Sequence, residues 1–225
     1  MANDVTKSGH RRHPMPFTRV EIAVLSVVDE RLQVLMARRA EEPYKGRWAL
    51  PGGVLRIDLD ASLDAAAQRV AMERLGLEMP LLRQLCAVGG PGRDPRAAWG
   101  LSVVYRTLVA AEQIAPKAGK RVEEVKWRPV DDAVGDRAIA FDHASLIGRA
   151  VAATRAEVRA LDLPFALLPE HFTLGELQAA CEQVLGERID KSSFRRRLAA
   201  AEVVEPVEGQ MRGGAFRPAQ LYCRR

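Results

Sequence analysis

The chain has 225 residues, 48% of them apolar and 28% charged, with a formal net charge of +5 at pH 7. That balance is globular rather than disordered or fibrous, and the length suits one large domain or one medium domain plus one small. No apolar run approaches the ~20 residues of a membrane span, the N-terminus lacks the apolar stretch of a secretory leader, and Cys86, Cys181 and Cys223 lack metal spacing and suit a reducing cytoplasm.

In chain order, residues 1–16 read as a flexible arm. Val20–Val28 and Leu32–Arg39 are β-rich runs flanking Asp29-Glu30-Arg31, the pattern of a hairpin. Trp48-Ala-Leu-Pro is a short strand entering a glycine loop. From Ala61 or Ser62 to Leu75 the pattern is helical, and Gly76 supplies a stop. Leu81–Val88 reads as a strand and Gly89–Arg96 as a turn-rich loop. Trp99–Val109 and Val122–Val130 are further strands. Phe141–Leu161 carries apolar residues at near-helical spacing, with Asp142 as an N-cap. Leu163–Glu170, with Pro164 and Pro169, reads as a linker.

The chain then changes character. Thr173-Leu-Gly-Glu176 is a capping box. It opens a helix with Leu174, Leu177, Cys181, Val184 and Leu185 on one face, ended by Gly186. Asp190 can cap a second helix, Lys191–Ala201, whose Phe194, Leu198 and Ala201 point inward. A strand from Val203, a hairpin tip over Gly209–Gly214 and a return over Phe216–Cys223 complete a winged helix-turn-helix. The segment from Pro164 on is nearly neutral, but its bases are bunched. A basic, serine-bearing helix face suits the DNA major groove, because lysine and arginine release counterions and arginine can read guanine. The DNA-facing candidates are Thr173, Lys191, Ser192, Ser193, Arg195, Arg196 and Arg197, with Arg212 and Arg217 flanking the wing. A charged helix face that merely meets solvent is the alternative.

Leu50–Leu77 reads LPGGVLRIDLDASLDAAAQRVAMERLGL and resembles the Nudix box, a glycine loop followed by a helix ending R-E-hydrophobic-x-E-E-x-Gly-hydrophobic. Gly52, Gly53, Arg69, Glu73, Gly76 and Leu77 keep the frame. The three helical acid positions hold Val70, Glu73 and Arg74, and the acid that opens the helix falls on Ala61. Fifteen residues separate Gly53 from Arg69, two more than in the box. Magnesium wants carboxylate oxygens gathered on one face, since it must neutralise phosphate and generate hydroxide. Glu73 is the only residual metal candidate, and its alternative role is an ion pair with Arg69. No catalytic residue is assigned, and binding rather than hydrolysis is expected.

The mixed strands with a helix after the glycine loop give an α/β (α+β) Nudix-like sandwich, and the domains divide as 1–16, 17–162 and 163–225. HFTLGELQAACEQVLGERIDKSSFRRRL, the closing RPAQLY, the Phe141–Ala144 stretch and the Gly92–Arg96 loop together resemble the Nudix-related transcriptional regulators of NAD metabolism. The resemblance implies a cytoplasmic homodimeric repressor on a palindromic double-stranded DNA operator. It also implies ADP-ribose or a related NAD derivative as effector, with no cofactor required. Ligand-site candidates are Arg38, Arg39, Trp48, Gly52, Gly53, Arg69, Arg93, Asp94 and Arg96. The glycines leave backbone N–H groups open to phosphate; Arg93 and Arg96 offer cations for a diphosphate and Asp94 an acid for a ribose hydroxyl. An active ADP-ribose or nucleotide pyrophosphatase and a ligand-independent DNA-binding dimer are the competing readings.

Overall fold

A computed structural model of the chain describes residues 15–213 and 218–225. Residues 1–14 of the expected 1–16 arm and the wing-flanking Arg217 lie outside the described residues. Strand β1 (Phe17–Val28) turns into β2 (Arg31–Arg39) through Asp29 and Glu30, whose φ of 49° and 58° suit a two-residue hairpin loop. The short strands β3 (Trp48–Ala49) and β4 (Gly52–Val54), the second holding both glycines of the glycine loop, pair antiparallel with β2 and β1. Helix α1 (Leu63–Leu75) begins at Ser62, whose hydroxyl accepts the Ala65 N–H, and ends at Gly76 with φ of 65°. Strands β5 (Arg83–Pro91) and β6 (Trp99–Leu108) form an antiparallel pair, and β6 runs parallel to β1. Strand β7 (Val122–Pro129) closes on the other edge of β2. Strand β5 runs to Pro91, three residues beyond the expected end, because its ladder with β6 continues to Trp99.

This mixed sheet is covered on both faces, so β1 is apolar on both. Val20, Ile22 and Val24 pack with α1, Val103 and Tyr105. Ala23 and Leu25 alternate to the opposite face, which carries α2 (Val130–Val134) and α3 (His143–Arg159). Helix α3 starts two residues later than expected, because Phe141 takes a left-handed φ of 56°. Asp142 sits at its N-cap but makes no side-chain cap bond.

The C-terminal unit holds β8 (Phe172–Thr173), α4 (Leu174–Leu185), α5 (Lys191–Ala201), β9 (Val204–Arg212) and β10 (Ala219–Arg224), with sheet order β8-β10-β9. Both bonds of the Thr173/Glu176 capping box form, and Gly186 closes α4 at φ of 73°. The Asp190 carboxylate accepts the Ser193 N–H at 2.8 Å. The turn between α4 and α5 is pinned from α4: Gln178 donates to the Ile189 carbonyl, and Glu182 accepts the Ile189 N–H. Strand β9 passes through the expected tip at Gly209, which at φ of 69° continues the strand to Arg212.

The two units share one apolar cluster, running from β1 and β2 through Leu146, Ile147 and Val151 of α3 into Leu177, Cys181 and Val184 of α4. Of α5, only Phe194 and Leu198 are buried; Ala201 is exposed, so the helix turns a narrower face inward than its spacing suggests. Phe194→Ala therefore removes half of that anchor. It should destabilise the C-terminal unit by about 3–5 kcal/mol, read as an earlier transition in urea denaturation.

Candidate functional site

The glycine loop, the end of β2 and the start of β7 line an open cleft. Its lining includes Arg19, Arg38, Arg39, Arg74, Arg96 and Arg121, against Glu41 and Glu42. Arg39 is the most telling of these. Its Nε donates to the Pro43 carbonyl at 2.6 Å, and its guanidinium lies over the Phe141 ring. It has no carboxylate partner among the described residues. Burial, then the charges of Arg19 and Arg96, push its pKa down to about 10. It stays charged at neutral pH, in a site whose positive field an anion would relieve.

Beneath the cleft lies a buried polar cluster that the sequence reading missed. The Arg19 Nε donates to Glu21 Oε1 at 2.8 Å, and both side chains are buried. His143 Nδ1 accepts the Leu50 N–H at 2.9 Å, while His143 Nε2 lies 3.9 Å from Glu21 Oε1. Burial, then the Arg19 charge, pushes the His143 pKa down to about 3, so the ring is neutral. Glu21 Oε2 has no partner among the described residues. One signal for this cluster was present: Arg19 and Glu21 are the two charged residues of β1 and stand at i and i+2, which puts both on one face.

The expected ligand residues divide into three groups. Arg38, Arg39, Gly52 and Arg96 line the cleft. Arg93 and Asp94 do not. Arg93 is tied bidentately to Asp142 at 2.9 and 3.0 Å and also donates to Ser102, so it is spent on fixing α3. Asp94 is buried and clamps Arg96. Burial alone would raise the Asp94 pKa, but hydrogen bonds from Arg96 outweigh it and hold the carboxyl below its usual range. Trp48 and Gly53 are also absent from the lining. Trp48 packs against the core with Lys126 over its ring, 4.3 Å from the centroid. A Cβ at Gly53 would come within 2.8 Å of Val70 Cγ2, so this glycine answers to packing against α1 rather than to a ligand. Arg69 lies in an adjoining pocket, bound to Asp60 at 2.7 and 2.8 Å.

At the three helical positions where the Nudix box gathers acids, this helix carries one. Val70 is fully buried in the core. Glu73 pairs with Arg69 at 3.3 Å and approaches Arg74 at 4.0 Å. Arg74 donates to the Gly52 carbonyl at 2.8 Å and the Lys120 carbonyl at 2.6 Å, clamping the glycine loop to the approach to β7. Among the described residues no three His, Cys, Asp or Glu side chains gather as metal ligands. The divalent ions used by Nudix enzymes do not fit this set of side chains, because two clamped guanidinium groups stand beside the one acid.

On the C-terminal unit, Lys191, Ser192, Arg195 and Arg196 lie exposed on α5, and Ser193 is half-buried. Arg195 and Arg196 have no ion-pair partner among the described residues. Three expected DNA contacts are otherwise engaged. The Thr173 hydroxyl closes the capping box. Arg212 binds Glu176 and the His171 carbonyl. Arg197 donates to the Arg159 carbonyl at the end of α3 at 2.5 Å. Helix α3, 17 residues and about 25 Å long, therefore runs from the glycine loop to α5. Its Arg155 also donates to the Val184 carbonyl, and Arg159 pairs with Glu187.

Residues 17–149 match the NUDIX domain model, and residues 164–223 match the NrtR DNA-binding winged helix domain. The chain is 36% identical over 210 residues to the ADPR responsive transcriptional repressor NtrR of Acinetobacter baylyi, covering 93% of this chain and 82% of that protein. Its fold is similar to Shewanella oneidensis NrtR complexed with a 27mer DNA, at a TM-score of 0.75 and 32% identity over 92% of this chain and 93% of that one. It is also similar to the NUDIX domain of Shewanella oneidensis NrtR complexed with ADP ribose, at a TM-score of 0.58 and 31% identity over 63% of this chain and 90% of that one.

The neutral His143 sets a pH dependence of stability. Its ordinary pKa of 6.5 falls to about 3 in the folded chain, so between those values the unfolded chain binds the extra proton. Stability should fall on acidification through that window, by at most about 1.4 kcal/mol per pH unit from this group. His143→Gln should flatten the slope in urea denaturation between neutral and mildly acid pH; an unchanged slope would show that the imidazole is not held neutral.

Proposed function

Because the chain belongs to the Nudix family and ends in an NrtR DNA-binding winged helix domain, we propose that it is a DNA-binding transcriptional repressor that senses ADP-ribose or a related NAD-derived nucleotide. Residues 17–162 are the sensing unit in this reading, and residues 163–225 the DNA-binding unit. One observation carries it: the same chain holds an arginine-lined cleft on the glycine loop and a basic helix face whose Arg195 and Arg196 have no ion-pair partner among the described residues, joined by α3.

Helix α5 would enter the major groove, with Arg195 and Arg196 reaching base edges and Lys191 and Ser192 the phosphates. A homodimer on a palindromic operator would present two such helices. The cleft would hold the nucleotide's diphosphate against Arg39 and Arg96, with Arg38 at its rim. Val70, the paired Glu73 and the clamped Arg74 support binding without hydrolysis, in a cytoplasmic regulator rather than an enzyme. No helix among the described residues is long and apolar enough to cross a membrane.

Nucleotide binding can change DNA affinity only if it favours one arrangement of the two units over another. Arg197 is placed to respond to such a change, since its Nη2 donates to the Arg159 carbonyl at the end of α3 while its side chain stays exposed on α5.

Arg195→Ala and Arg196→Ala should each weaken binding of full-length protein to a duplex from the gene's own upstream region by about 1–3 kcal/mol if the side chain reads a base. If it contacts phosphate only, the loss is similar on any sequence and the salt dependence becomes shallower. Fluorescence anisotropy titrations across several salt concentrations distinguish the two. Unchanged affinity in both variants would remove α5 from the interface.

A further inference from the structure

A second pocket continues the cleft past Arg74 and shares Val54, Arg74 and Arg121 with it. It lies against the face of α1 where the Nudix box gathers acids. Here its charged lining is Arg56, Arg69, Arg74, Lys120 and Arg121, with Glu73 the one acid.

The pocket is built rather than accidental. The loop that carries Lys120 and Arg121 is sewn to the last turn of α1. The Lys117, Gly119 and Lys120 N–H groups donate to the Leu75, Arg74 and Glu73 carbonyls at 2.8, 3.0 and 2.7 Å. A Cβ at Gly119 would meet the Glu73 carbonyl oxygen at 2.3 Å, so only glycine permits this approach. Arg69 is fixed by Asp60 and the Val54 carbonyl, and Arg74 by the Gly52 and Lys120 carbonyls. Lys120 is exposed and has no carboxylate partner among the described residues. Arg121 holds a left-handed φ of 62° and, among the described residues, pairs only with Glu41, across two half-exposed side chains 3.0 Å apart. Such a solvated pair is readily exchanged for a phosphate.

We infer that this pocket is an anion subsite, which takes a phosphate group of a diphosphate-bearing ligand directly on Lys120 and Arg121 where a Nudix enzyme would interpose a metal ion. Its relevance to sensing rests on the nucleotide reading of the adjoining cleft, but its chemistry stands apart from that reading. Fixed guanidinium groups lower the potential energy of an anion and raise that of a cation. Magnesium, which binds diphosphate in solution and cancels part of its charge, should therefore weaken binding here, whereas a metal-bridged site would require it.

Inorganic pyrophosphate and ADP-ribose, each titrated into the full chain by calorimetry with chelator and then with magnesium chloride, test this. Pyrophosphate should bind in chelator and more weakly in magnesium. Lys120→Ala combined with Arg121→Gly should weaken that binding about tenfold or more. The same variant should melt no lower than the natural chain, because glycine relieves the positive φ. Pyrophosphate binding that needs magnesium, or that survives the double variant unchanged, overturns the subsite. If ADP-ribose binds only with magnesium and pyrophosphate fails in chelator, the subsite falls while the nucleotide reading stands. If pyrophosphate binds in chelator and ADP-ribose does not bind at all, the subsite stands and the nucleotide reading falls.

Discussion

The Leu50 N–H points into the protein and must be satisfied there, and a neutral His143 Nδ1 satisfies it at 2.9 Å. Through this bond the first residue of α3 is held to the residue that leads into the glycine loop. Two further ties converge on the same corner: the Ala140 N–H donates to the Trp48 carbonyl at 2.8 Å, and Arg93 forks onto Asp142. The start of α3 therefore cannot move without disturbing the floor of the cleft. Its far end is held as firmly, by Arg155 on Val184 and by the carbonyl of Arg159 beneath Arg197. A rigid helix fastened at both ends is a physical route by which occupancy of one site can bias the other.

The charge pattern of the cleft follows from what the fold has lost. An acid face on α1 would need cations from outside the chain. With Val70 in the core and Arg74 turned onto backbone carbonyls, the cations are part of the chain itself. They are not equivalent. Arg93 and Arg19 are neutralised by Asp142 and Glu21 and serve as structure. Arg39 and Lys120 have no carboxylate beside them among the described residues and remain available to a ligand. That distinction depends on which side chains meet in space, so counting arginines in the sequence could not supply it.

The elements of this fold were legible because each carries local chemistry. Ser62 and Gly76 mark the ends of α1, Thr173 and Glu176 cap α4, and Asp190 caps α5. Those signals give the elements in order, and the resemblance of Leu50–Leu77 to the Nudix box turned that order into an architecture. The site was legible only in part. Arg38, Arg39, Gly52 and Arg96 reach the cleft, but Arg93 and Asp94 are paired off, and Arg93 meets its partner across a separation of 49 residues. Arg121 carried no signal, since it depends on a loop docked to α1 by backbone bonds. Thr173, Arg197 and Arg212 illustrate the same limit on the winged helix: a basic or hydroxyl side chain beside a recognition helix has protein partners within reach as well as DNA.

In the proposed function, nucleotide in the arginine-lined cleft alters the affinity of the winged helix for DNA. The most direct measurement is the dissociation constant of the full chain for its upstream duplex, with and without ADP-ribose, in the natural protein and in Arg39→Ala. A shift in the natural protein that Arg39→Ala requires more nucleotide to reach, with unliganded DNA affinity unaltered, is the predicted result. ADP-ribose that binds the protein but leaves the DNA affinity of the natural chain unchanged would contradict the account.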